Sequence, residues 1–162
     1  MNGIVTLQRA LAGVLTALPM LVFAATTTVT VKVTVVAPPP CVINDDRPIE
    51  VEFGDVMTTR VDGDNYKMPV NYTLSCAGGT SNVMKLQVKG NGATFDATVL
   101  QTNKTGLGIE LRRGGNKQAV NRWLYFSYPN KPELWAIPVK QLGTTLTGGV
   151  FSAGATMAVD YL

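Results

Sequence analysis

The stretch GVFSAGATMAVDYL, residues 149–162, decides how the whole chain is read. Phe151, Ala153, Ala155, Met157, Val159 and Tyr161 alternate with Ser152, Gly154, Thr156, Ala158 and Asp160. That period of two puts one set on a single face of a β-strand. The apolar face runs almost to the last residue, so no later segment is expected to cover the far edge of this strand. It needs a neighbour from elsewhere.

Upstream, strands recur and helices do not. Ile49–Phe53 alternates with Glu50 and Glu52 on the wet side, and Val70, Tyr72, Leu74 and Cys76 alternate with Asn71, Thr73 and Ser75. Met84, Leu86 and Val88 repeat the pattern, as do Ile109 and Leu111, while 123–128 and 135–142 are less regular. Gly78-Gly79, Gly90-Asn91-Gly92, Gly114-Gly115-Asn116 and Pro129-Asn130 supply turn chemistry between them. Short strands at this spacing predict an all-β, antiparallel sandwich.

At the other end, TVTVKVTVV spans residues 28–36. Val29, Val31, Val33 and Val35 share one face in an extended chain, and nearly every position is β-branched. Pro38, Pro39 and Pro40 follow, favouring stiff polyproline geometry that separates this arm from the rest. Before it, a short polar start with Arg9, an apolar run over 10–23 and the small-residue site ending at Ala24 read as a secretory signal cleaved before Ala25. The apolar run is shorter than the roughly 20 residues that span a bilayer, so no membrane insertion is expected after cleavage. Residues 1–24 are therefore a signal peptide, 25–40 an N-terminal extension and 41–162 the folded domain.

Cleavage lowers the net charge from +3 by one, through loss of Arg9, which is too mild for a nucleic-acid partner. Arg112, Arg113 and Lys117 read as a solvated turn. An exported chain is expected to join its two cysteines, Cys41 and Cys76, as a disulfide. No histidine exists to build a His-dependent triad or metal site, and no C-x-x-C pair is present. The carboxylates fall in turns, as at Asp45, Asp46, Asp62 and Asp64, or on wet strand faces. Neither an enzyme nor a cofactor is expected. Trp123, Tyr125 and Trp135 could stack on a sugar, though packing in the core and its rim accounts for them more simply.

The chain resembles the single-domain subunits of chaperone–usher pili, the class of the P pilus and type 1 pilus. The likeness lies in the alternating arm before Pro-Pro-Cys41-Val-Ile-Asn44, in Val51-Glu-Phe-Gly-Asp-Val56, and in Leu74-Ser-Cys76. It continues in Thr102-Asn103 with Gly106-Leu-Gly-Ile109, and in a glycine fourteenth from the end and a tyrosine next to last, Gly149 and Tyr161. The resemblance implies an incomplete immunoglobulin-like sandwich that lacks its last strand. A periplasmic chaperone would fill the groove, and at the outer-membrane usher the arm of a neighbouring pilin would replace it. Donor residues would be Val29, Val31, Val33 and Val35. Groove, chaperone and next-subunit contacts would come from Gly149, Phe151, Ala153, Ala155, Met157, Val159, Tyr161 and Leu162, with the terminal carboxylate held by basic residues of the chaperone. Many relatives carry a glycine where Val33 stands. The subunit would be exported through the periplasm to the surface fimbrium, most like a minor tip or adaptor pilin; a receptor-binding subunit or a terminator is the alternative.

Overall fold

In the computed structural model, residues 41–77 and 82–162 are described. The signal segment, the arm with Val29, Val31, Val33 and Val35, the Pro38–Pro40 run and the Gly78-Gly79 turn lie outside them. The described chain is all-β apart from two single 3-10 turns, Asn44–Asp46 and Thr58–Arg60. Its strands are β1 Cys41–Ile43, β2 Met68–Val70, β3 Leu74–Cys76, β4 Val83–Lys89, β5 Gly92–Ala93, β6 Asp96–Gln101, β7 Leu107–Arg113, β8 Asn116–Gln118, β9 Leu124–Ser127, β10 Leu134–Lys140 and β11 Thr156–Tyr161.

All the pairings are antiparallel. One sheet runs β2-β10-β7-β6-β5 with β8 hairpinned onto β7, a second runs β11-β4-β9, and β1 pairs with β3. Alternation explains how the two larger sheets share a core. Met84, Leu86, Leu124 and Phe126 from the second sheet cluster with Leu100, Ile109, Leu111, Leu134 and Ala136 from the first. Met84 and Leu86 are fully buried, while their neighbour Val83 stays half exposed. Two layers closing over one apolar interior make the sandwich the alternation predicts.

Gly114 and Gly115 both take positive φ in the two-residue connection of β7 to β8, the backbone such hairpins require. Cys41 lies directly opposite Cys76 in the β1–β3 ladder, and the two form the expected disulfide.

Three strand expectations differ in detail. The run 70–76 is split: β2 bonds to β10 and β3 to β1, so the chain changes sheets at 71–73 while keeping its alternation. Residues 49–53 join no ladder among the described residues. The last strand is paired only from Thr156, because its partner β4 ends at Lys89 opposite that residue, and 151–155 run on beyond it. Three short strands, β1, β5 and β8, and the longer β6 are not legible in the sequence; β5 has two residues, and β6 places Val99 and Leu100 side by side instead of alternating.

Candidate functional site

Residues 49–53 and 151–155, which join no ladder among the described residues, together with Met157 of β11, face each other across a cavity of about 300 Å³. Ile49, Val51 and Phe53 form one wall and Phe151, Ala153, Ala155 and Met157 the other. Val88, Leu100, Ile109 and Leu111, members of the main core, form its floor. Ser152 is the only polar residue among those lining it. A second open cavity, about 700 Å³, continues between residues 51–57 and 149–151. The main cavity is therefore an apolar trough whose floor is the interior of the sandwich, while the second also carries Glu52 and Asp55 in its lining.

The 148–152 wall is held from the 102–107 loop. Buried Thr102 organises that loop: its hydroxyl donates to the Leu107 carbonyl at 2.8 Å and accepts from the Lys104 N–H at 3.0 Å. Asn103 then grips Ser152 twice. Its backbone N–H donates to the Ser152 carbonyl at 3.1 Å, and its side-chain oxygen accepts from the Ser152 N–H at 2.9 Å. Lys104 Nζ donates to the Gly148 carbonyl at 2.6 Å. Gly149 has φ +107°, a backbone that favours glycine, and a Cβ there would sit 2.9 Å from Lys104 Nζ and push the ammonium aside.

Of the anticipated groove residues, Phe151, Ala153, Ala155 and Met157 line the main cavity and Gly149 the second. Val159 and Tyr161 pack against the core beyond the cavity, and the Tyr161 hydroxyl lies 3.5 Å from Cys41 Sγ. Leu162 is exposed, with its N–H donating to the Val83 carbonyl at 3.1 Å. Among the described residues, β11 pairs only with β4. The facing wall of Ile49, Val51 and Phe53 was not assigned to the site from sequence, although its alternation was plain. Asn103 stood within the Thr102-Asn103 motif of the resemblance but without a role, and Lys104 carried no pattern that would have marked its grip.

Elsewhere the titratable groups do structural work. Burial pushes the Tyr72 phenol up to about 12, and its hydroxyl donates to the Pro132 carbonyl at 2.5 Å. Hydrogen bonds from Lys117 and Thr98 hold the Asp96 carboxyl down at about 2. Two of the three basic residues are ion-paired in place: Arg112 with Glu110 at 2.6 Å and Asp64 at 2.9 Å, and Lys117 with Asp96 at 2.6 Å, while Arg113 donates to the Tyr125 carbonyl. Asp62 accepts from the Asp64 and Asn65 N–H groups, which lowers its pKa and closes the anticipated turn. Among the described residues, no group of three or more acidic or cysteine side chains is placed to hold a metal. The three aromatics do not share a surface: Trp123 and Tyr125 are exposed at β9, whereas Trp135 is on β10 in the other sheet under the Lys67 ammonium.

Comparison with known proteins points one way. The fimbrial protein family matches residues 27–162. A fimbrial-like protein of Escherichia coli K12, YfcR, is 42% identical over 135 residues, covering 80% of this chain and 78% of the relative. The P pilus adaptor subunit PapF superposes with a TM-score of 0.60 at 26% identity, over 78% of this chain and 98% of that one. The P pilus rod subunit PapA shares the fold, with a TM-score of 0.65 at 22% identity over 76% of this chain and 99% of its own.

Proposed function

The chain belongs to the fimbrial protein family, a non-enzymatic structural subunit of the chaperone–usher pili at the cell surface, and from this premise we propose that it polymerises by donor-strand exchange. In this reading residues 1–24 are removed on export, 25–40 are the donor extension and 41–162 the acceptor domain. Val29, Val31, Val33 and Val35 of one subunit enter the groove of a neighbour between Ile49–Phe53 and Phe151–Met157. A periplasmic chaperone occupies that groove first, and the outer-membrane usher is where the exchange takes place.

The observation that carries this reading is the uncharged main cavity floored by core side chains, set between two walls of which residues 49–53 and 151–155 join no ladder among the described residues. Four buried valines offer about 6 to 12 kcal/mol gross, in addition to main-chain hydrogen bonds. Ordering nine residues costs about 1 to 2 kcal/mol each, so the complex is favourable only when the acceptor core also gains from being completed. Free, the arm is an apolar strand carrying one charge, Lys32, and is an aggregation hazard. That favours keeping the groove and arm occupied throughout export.

A minor or adaptor position is supported by the 26% identity to an adaptor subunit, whereas the likeness to the rod subunit extends to fold alone. An open groove together with an apolar arm suits an internal link better than a terminator.

The test uses the mature chain with Val31→Asp and Val33→Asp, which can accept a strand but has its own arm disabled, because each aspartate would bury a charge. Addition of a labelled peptide of residues 25–37 should raise the melting temperature by several degrees and leave a soluble one-to-one complex. No binding by a folded acceptor would refute the exchange reading.

A further inference from the structure

The Phe53 and Phe151 rings bridge the two walls of the groove, with centroids 5.8 Å apart and planes inclined by 34°. Both residues line the main cavity and both line the second one, so the pair stands at their junction. We propose that this ring pair is the specificity-determining element of the groove. It divides the trough into two chambers and restricts the size of the side chain that an incoming strand can carry where it crosses the bridge. The inference rests on the strand-exchange reading and adds to it where, along the groove, partner choice is made.

The halves of the pair are held differently. Phe151 lies between Gly148 and Ser152, both gripped from the 102–107 loop, and it also packs against Val61, Leu107 and Leu146. Phe53 belongs to the wall that joins no ladder among the described residues, and its support is packing against the core. An entering strand therefore meets one fixed ring and one held by packing alone. An oversized side chain at the bridge must displace Phe53 or remain outside, whereas the apolar chamber beside it has room for a valine-sized group. Overpacking of this kind is felt at a single position and not along the entire strand.

The experiment measures seating of residues 25–37 as labelled peptides in which Val29, Val31, Val33 or Val35 is replaced singly by Phe. The acceptor is the mature chain with Val31→Asp and Val33→Asp, and rates are normalised to the unsubstituted peptide for each acceptor. One position should be slowed about tenfold relative to the others. In acceptors that also carry Phe53→Leu or Phe151→Leu, the spread between positions should collapse to about threefold or less. Two leucine variants guard against one failing to fold, which the far-ultraviolet spectrum reads directly. A flat profile in the parent acceptor, or one unchanged in the folded variants, overturns the inference while leaving strand exchange intact. Failure of every peptide to seat removes the exchange reading, and this inference falls with it.

Discussion

Single residues set the molecule's response to pH at both ends of the scale. Asp96 has its carboxyl held down at about 2, first by Lys117 and then by Thr98. A depressed carboxyl stabilises the folded chain above about pH 4 and loses that contribution as pH falls towards 2. Lys117→Met should raise the Asp96 titration midpoint towards the ordinary carboxylate value, read by carbon NMR; an unmoved midpoint would remove Lys117 as the cause. Tyr72 behaves in the opposite sense. Its folded pKa of about 12 lies above the unfolded value, so its neutral phenol stabilises below about pH 10 and that support fades as pH rises through 12. Tyr72→Phe leaves the Pro132 carbonyl without its donor and should cost about 1 to 3 kcal/mol in denaturant unfolding.

At the scale of elements, the strand-exchange reading makes the walls of the groove decide what the subunit can hold. Met157→Asp places a carboxylate in an apolar lining and should weaken seating of the 25–37 peptide by at least about tenfold, measured by fluorescence anisotropy. Asn103→Ala removes one of two bonds to Ser152, so amide exchange at Ser152 should speed up before exchange in β4 changes. These elements were unevenly legible. The wall at Phe151, Ala153, Ala155 and Met157 could be read from alternation alone, because a period of two means one shared face. The opposing wall was read as a strand, and its role was hidden because alternation does not reveal what lies across the gap. β6 was missed because it is covered on both sides at Val99 and Leu100, which erases the polar half of the pattern. The grip of Asn103 and Lys104 joins positions some 44 to 49 residues apart, and no local signal records such a meeting.

At the scale of the whole folded domain, the disulfide ties β1 to β3 beside the layered core. Reducing Cys41–Cys76, which closes a loop of 35 residues, should lower stability by roughly 3 to 4 kcal/mol. Matched urea titrations of the oxidised and reduced mature chain check this, with the 25–37 peptide present to complete the core. Breaking the same bond should also slow or abolish peptide seating if the β1–β3 ladder helps to place the end of β11, where Tyr161 approaches Cys41.

With subunits linked through the arm as proposed, that bond also fixes where mechanical load enters the domain. A pull on residue 41 from its N-terminal side, against a three-residue β1–β3 ladder alone, would peel the pairs apart one after another. Because Cys41 is tied to Cys76 at the first rung, tension passes straight through sulfur into β3 and on to the body of the sandwich. A subunit linked through its arm, as proposed, would thus bear traction along a fibre without fraying at its own entry point, and a reducing milieu should make it yield at lower force.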